Sequence, residues 1–463
     1  MARCSLTAWT LDSREEPVIR VGMVLPEDGM DSILLKIPSR GYLVSGGDGP
    51  GQMFRSVMAK VTVENRQVSF LSEGGVAGPA DVIKVSPEEA VPQTRGAGVQ
   101  LRGVVAGRGF HWEKRIHPTV GGMLEFRAIR GRLLVVNELP LEEYLPGVIA
   151  GEMSGDCPME FLKSQTVVAR AWVLAHTEKK HTEYPVDRCN DDCCQRYHGT
   201  TDLTERAVEA VRQTRGQVLV DRKRTLIDAN YSKSCGGIIE SPQHVWFVQK
   251  AGQRATVDAP KDSAAHRFFP LSEKLLKEYL TGEWLKQTDV FCSPNVVPEK
   301  SLPSYLSKID EGGGHFRWRV DYDRHELEKI LREKFFSRQD PSKVAFLDTL
   351  LGLRVCQRGD SGRAKDLEIE YLDPMGVTHK VHVISEYSIR EVLHEKFLFS
   401  SAFVIEIQRD TDGIPRKISL IGGGWGHGAG MCQIGALGMA LRGYKYEAIL
   451  KHYFEDVQLH DCY

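Results

Sequence analysis

The chain has 463 residues, 41% hydrophobic and 26% charged, the make-up of an ordinary globular protein with room for two or three cores. Its net charge of −2 excludes a broad basic field for nucleic acid or an anionic membrane surface, and the short cluster Arg222-Lys223-Arg224 reads as a solvated turn. No run of about 18 apolar residues is present to span a bilayer, and no signal peptide is readable in Met1–Thr10. In chain order, residues 1–16 are polar and read as a flexible N-terminus. From 17 to 132 the hydrophobic period is two, in Val18–Val24, Ile33–Ile37, Ala59–Val63, Met123–Phe126 and Arg132–Val136, with turns such as Gly46-Gly47-Asp48-Gly49-Pro50 between them. This predicts a β-rich region, in which the Gly- and Pro-containing stretch at 74–98 reads as a long loop. The pattern then turns helical. One helix is expected over Leu141–Gly151, with Pro146 tolerable near its first turns. The next runs from Met159 to His176, with Asp156 as N-cap and Pro158 in the first turn. Thr204–Thr214 is a third helix and Gln217–Val220 a strand. Residues 265–350 read as a helical insertion (Leu271–Trp284, Arg324–Phe336), the period returns to two over 352–404, and helices close the chain at Gln433–Arg442 and Lys445–Phe454. The fold class is therefore α+β.

Three constellations carry chemistry. Glu152 follows Val148, Ile149 and Ala150 and precedes Met153, and burial among such neighbours favours the neutral, proton-donating form of an acid. The competing reading is a helix-end glutamate left in water. Lys163 and Arg170, seven apart, share a face of the following helix. Glu143 is the nearest second carboxylate in sequence and reads as a surface residue. Of the ten cysteines, Cys189, Cys193, Cys194 and Cys235 group together. Cys189, Cys193 and Cys194, with His181 before them, offer the ligand types of a structural zinc site, against a disulfide or free buried thiols. Cys235 is also a possible nucleophile, though a buried thiol at a β-to-turn corner is the simpler reading. Finally, Gly422 to Gln433 places Trp425 and His427 between alternating glycines. It lacks the Gly-Lys-Ser/Thr of a phosphate loop, while an indole face suits a sugar ring and an imidazole can bond hydroxyls.

The order of motifs resembles the stage II sporulation protein D (SpoIID/LytB) family of peptidoglycan-active proteins. It runs from Val18-Ile19-Arg20-Val21 through Val136 to Leu145, then Gly147-Val148-Ile149-Ala150-Gly151-Glu152-Met153 and Leu162 to Trp172. Cys194-Gln195-Arg196-Tyr197, Tyr231 to Gly237 and Gly424 to Gln433 follow. The resemblance implies a lytic transglycosylase that cuts peptide-stripped glycan strands, with Glu152 catalytic. It implies that Lys163 and Arg170 contact substrate or position the Glu152 helix, and substrate-binding roles for Gln165 in the first motifs and for Tyr231, Trp425, His427 and Gln433 in the later ones. It also implies zinc near Cys194-Gln195-Arg196-Tyr197, with Cys189 and Cys194 as ligands, to which the reading of residue types adds Cys193 and His181. Two departures stand out: Cys193 where the family often has His, and Ala171-Trp172 where Thr-Tyr is usual. The expected organisation is a flexible 1–16, a β-rich 17–132, a SpoIID-type catalytic core of mixed helix and sheet at 133–260 and 411–463, and an inserted α/β region at 261–410. Implied partners are glycan strands and a cell-wall amidase, with no nucleic acid; the implied location is the cell envelope. The family also contains amidase enhancers, so a non-catalytic wall-binding stimulator is the alternative function.

Overall fold

The computed structural model describes residues 4–47, 51–110, 113–175, 177, 180–308 and 313–463. Residues 1–3 of the N-terminal tail, 48–50 of the predicted turn and His176 lie outside the described residues. The protein is α+β with a β-rich N-terminal region, and it forms two compact units. Unit 1 comprises Met1–Val220, Pro303–Glu311 and Leu459–Tyr463; unit 2 comprises Asp221–Leu302 and Gly312–Gln458.

Among the described residues of unit 1, a seven-stranded sheet runs Arg188–Cys189, Val18–Val24, Arg132–Pro140, Met123–Ile129, Val82–Pro87, Tyr42–Gly46, Gln52–Phe54. A six-stranded sheet contains Ser32–Ile37, Val57–Glu64, Gln67–Ser72 and Gly75–Ala80. The alternation seen in the sequence is physical: Ile33, Leu35 and Ile37 point inward while Leu34 and Lys36 face solvent. The stretch read as a loop at 74–98 holds two strands instead, Gly75–Ala80 and Val82–Pro87. Glycine and proline punctuation hid the inward pair Ile83 and Val85, which pack at 0% exposure.

Three helices follow, α1 (Leu141–Glu152), α2 (Met159–Ala175) and α3 (Glu205–Gln213). Helix α1 continues through Pro146 to its last residue, Glu152. Asp156 is not the cap of α2: the Pro158 carbonyl accepts the first helical bond, from Leu162 at 3.1 Å, while the Asp156 amide bonds Ser154 Oγ in the preceding turn. Thr204 does cap α3, its hydroxyl accepting from the Ala207 amide at 3.2 Å. The last residues return to unit 1, where the Cys462 amide donates to the Gly216 carbonyl at 3.0 Å and the Tyr463 hydroxyl donates to Glu142.

Among its described residues, unit 2 carries two three-stranded sheets, Arg317–Asp323/Pro415–Gly423/Phe403–Arg409 and Thr349–Arg358/Ala364–Leu372/Thr378–Ile384. Its core gathers Trp318, Leu331, Leu350, Leu367, Ile369, Tyr371, Phe403 and Leu420. The predicted helical insertion is corrected in two places. Arg317–Asp323 is a strand whose Trp318 and Tyr322 are buried, and Leu271–Trp284 resolves into Glu273–Thr281 and a 3-10 turn, Glu283–Gln287, divided at Gly282. Two helices, Gln433–Leu441 and Tyr446–Tyr453, complete the unit. No described helix is long and apolar enough to cross a membrane.

Candidate functional site

Glu152 is the last residue of α1 and is 8% exposed, so it is not left in water. What encloses it is the loop after Cys194. Gly147 and Gly151, one turn apart on α1, let that loop touch the helix backbone. A Cβ on Gly147 would lie 2.6 Å from the Gly199 carbonyl oxygen, and one on Gly151 2.7 Å from that of Arg196. Seated there, the loop turns the Arg196 amide to donate to Glu152 Oε1 at 3.1 Å. Buried polar side chains hold it: Tyr144 of α1 donates to Gln195 (3.1 Å), Gln195 donates to the Ala169 carbonyl of α2 (3.2 Å), and Tyr197 donates to Asn137 (2.9 Å). The Cys-Gln-Arg-Tyr motif is thus a clasp joining sheet, α1 and α2.

The helices are also clamped to each other. Arg170 of α2, 0% exposed, donates through Nε and Nη2 to the two oxygens of Glu142 on α1, both at 2.8 Å, and through Nη1 to the Gln217 carbonyl at 3.0 Å. Such bidentate geometry fixes orientation as well as charge. Arg170 and Gln165 are wholly buried, and Arg170 holds α1 through Glu142, whereas Lys163 is 17% exposed and lies 3.4 Å from Glu160. Trp172, at a departure from the family pattern, carries the Arg188 guanidinium over its ring at 4.8 Å. Glu143 is half-buried rather than a surface residue.

Sequence reasoning missed Glu142, because its partner is 28 residues away, and Asp192. Asp192 pairs with the Arg196 guanidinium, and its carboxyl is pushed up to about 6 by burial, opposed by Arg196 and aided by the negative charges of Asp191 and Glu152. It is the second carboxylate of this neighbourhood; nothing in its spacing from Glu152 announced it.

His181, Cys189, Cys193 and Cys194 place one ligand atom each within 4.8 Å of one another. The Cys193 sulfur lies 3.0 Å from that of Cys189 and 3.4 Å from His181 Nε2. Three sulfurs and an imidazole make a closed tetrahedral donor set, so the residues fit zinc. The cysteines pack on Leu25, Leu134 and Val136, which ties the start of the clasp loop to the seven-stranded sheet. Cys235, grouped with these cysteines by sequence, belongs instead to unit 2, where its sulfur lies with Asp258, Cys292 and Cys432. It is 3% exposed, the buried thiol at a turn rather than an accessible nucleophile.

In unit 2 the glycine-rich loop is built on left-handed backbone. Gly424, Gly426, Gly428 and Gly430 have φ of 82°, 90°, 73° and 73°, and a Cβ on Gly428 would meet the Arg363 guanidinium at 2.2 Å. Trp425 stacks on His315 (centroids 4.6 Å apart) and Phe399 (4.7 Å). His427 faces Trp246 at 4.8 Å, and its Nδ1 accepts from the Ala429 amide at 3.1 Å. Burial, then the positive charges of Arg390, Arg363 and Lys250, push the imidazole down to about 3, so it is neutral at physiological pH. Half-buried Tyr231 opens the short strand Tyr231–Ser232, which pairs in parallel with Met431–Cys432 and closes the loop at its base; Gln433, 1% exposed, begins the next helix.

Residues 129–220 match the stage II sporulation protein (SpoIID) family, and residues 263–430 match a domain of unknown function, DUF8618. The chain is 27% identical over 340 residues to an uncharacterized protein of Brachyspira hyodysenteriae, covering 73% of this chain and 72% of that one. It is 28% identical over 322 residues to the amidase enhancer of Bacillus subtilis, covering 68% of this chain but only 40% of the enhancer.

Proposed function

Because the chain belongs to the stage II sporulation protein (SpoIID) family, we propose that it works on the cell wall as a peptidoglycan lytic transglycosylase, cleaving peptide-stripped glycan strands and leaving anhydro-muramyl ends. The observation that carries this reading is the division of labour on α1: Glu142 is committed to Arg170, while Glu152 sits enclosed at the helix end beside the clasp loop. A hydrolase needs two carboxylates about 5–10 Å apart. Glu142 and Glu143 stand nine or ten residues before Glu152, about 14 Å along the helix axis, and Asp192 is tied to Arg196. Ring closure needs one acid/base group. Glu152 gives its proton to the glycosidic oxygen as the bond to C1 breaks, and then takes the proton of the sugar's own 6-hydroxyl as that oxygen bonds C1. Lys163 would contact the strand, Arg170 would hold α1, and Trp425, His427, Tyr231 and Gln433 would bind sugar on unit 2. Zinc held by His181, Cys189, Cys193 and Cys194 would supply a fixed loop, not chemistry. Action would be extracytoplasmic, alongside a wall amidase.

The name of the Bacillus subtilis relative favours a second reading, a wall-binding protein that stimulates an amidase without cutting. Product mass from peptide-free glycan separates the two. Wild type should release anhydro ends, Glu152→Gln should be about 10²–10⁴-fold slower, and Asp192→Asn should still give anhydro products. Unchanged rates for Glu152→Gln, or reducing ends in place of anhydro ends, would sink the mechanism. Intact glycan with an accelerated amidase would establish the second reading.

A further inference from the structure

The sequence offers no metal motif around Cys235, since Cys292 lies 57 residues and Cys432 197 residues further on. The fold of unit 2 nevertheless gathers one ligand atom from each of Cys235, Asp258, Cys292 and Cys432 within 4.8 Å of one another. We propose that these four residues form a closed, structural zinc site within unit 2.

The donor set is that of a tetrahedral thiolate-rich site, and every member is buried, with Asp258 and Cys432 at 0% and Cys235 and Cys292 at 3% exposure. The Cys235 and Cys292 sulfurs stand 3.8 Å apart, which is the edge of a tetrahedron built on Zn–S bonds of about 2.3 Å. Asp258 is oriented for the task by a second layer of groups. Its Oδ1 accepts from the Tyr453 hydroxyl at 2.9 Å and lies 3.1 Å from His452 Nε2, which leaves Oδ2 turned to the thiols, 3.2 Å from Cys235 Sγ.

The sulfurs are met by backbone N–H groups: Cys235 and Gly435 donate to Cys432 Sγ at 3.2 and 3.3 Å, and Gly237 donates to Cys235 Sγ at 3.3 Å. Donors aimed at sulfur suit thiolates better than thiols. Gly435 completes the close fit, since a Cβ there would stand 2.2 Å from Asp258 Oδ2. Without an ion, Asp258 Oδ2 and three sulfurs crowd one buried spot with only weak S–H donors between them; a dication, with the thiol protons released to solvent, gives all four ligand atoms a common partner.

The ligands come from four separate stretches. Cys235 follows Tyr231–Ser232, Asp258 follows Thr256–Val257, Cys292 lies beyond the 3-10 turn Glu283–Gln287, and Cys432 caps Gln433–Leu441. The ion would therefore fasten the base of the glycine-rich loop. With four protein ligands and no exposed donor, its role is structural rather than catalytic.

Full-length chain carrying Cys193→Ser and Cys194→Ser, which disables the unit 1 donor set, is loaded with Co2+ as the probe. One equivalent should remain, with tetrahedral d–d bands and thiolate-to-cobalt absorption. Adding Cys292→Ser should abolish both, Asp258→His should retain them, and Tyr453→Phe should weaken cobalt binding about 10–100-fold. In the unaltered chain, alkylation of Cys235, Cys292 and Cys432 should rise sharply when zinc is chelated, a readout that needs no variant to fold. Cobalt uptake confined to the first donor set, alkylation indifferent to chelator, or a Cys235–Cys292 disulfide in the purified protein would overturn the proposal.

Discussion

The two units hold their candidate site groups by opposite means. Unit 1 clamps side chains: Arg170 locks α2 to Glu142 of α1, and Gln195 and Tyr197 bolt the clasp loop in place around Glu152. Unit 2 bends backbone: four alternating glycines with positive φ carry Trp425 and His427, and a Cβ would collide with the Arg363 guanidinium at Gly428 and with the Asn230 carbonyl at Gly430. The difference predicts how each fails. A clamp lost on one side leaves a charge buried without its counter-charge, whereas a glycine loop fails by collision.

The largest effect should come from breaking the clamp on one side. Arg170→Met should cost about 3–5 kcal/mol by stranding the Glu142 carboxylate, while Arg170→Met with Glu142→Leu should recover most of it. Denaturant unfolding of both chains checks this, and a double variant as unstable as the single would show that the pair does not act as a clamp. Gly428→Ala should cost about 2 kcal/mol, since it adds both left-handed strain and a contact with the Arg363 guanidinium. The same measurement with Gly413→Ala serves as control, because a Cβ there meets nothing within 4 Å and only the backbone strain remains. The smallest effect is a pH dependence. The His427 pKa of about 3 lies below the ordinary histidine value, so the unfolded chain takes up this proton first. Its contribution is intact above about pH 6.5 and is lost as pH falls toward 3. His427→Gln should flatten the wild-type fall in Tm across that window; identical slopes would place the titrating group elsewhere.

What could be read in advance followed from local chemistry. The period-two strands, α1, α2 and the capped α3 were visible because burial repeats along a few residues. The strands at Val82–Pro87 and Arg317–Asp323 were not, because partners far along the chain complete them (Phe126↔Ile83 and Trp318↔Gly422), and Gly75–Ala80, although it pairs in a hairpin with Gln67–Ser72, was hidden by its glycines and proline. The site divides the same way. Glu152 and the His181–Cys194 donor set stand out by residue type and short spacing. Glu142 as the partner of Arg170, Asp192 beside Glu152, and the true neighbours of Cys235 depend on contacts 23 to 197 residues long, which no spacing rule reveals.

The return of Leu459–Tyr463 to unit 1 has a temporal consequence. Residues 221–458 intervene between the main part of unit 1 and the segment whose Cys462 amide and Tyr463 hydroxyl reach Gly216 and Glu142. At about 5–20 residues per second, a ribosome needs about 10–50 s to make that span. Throughout that interval the Glu142 carboxylate is held by Arg170 and the Gly216 amide without the Tyr463 hydroxyl, which arrives only after the second unit has been made.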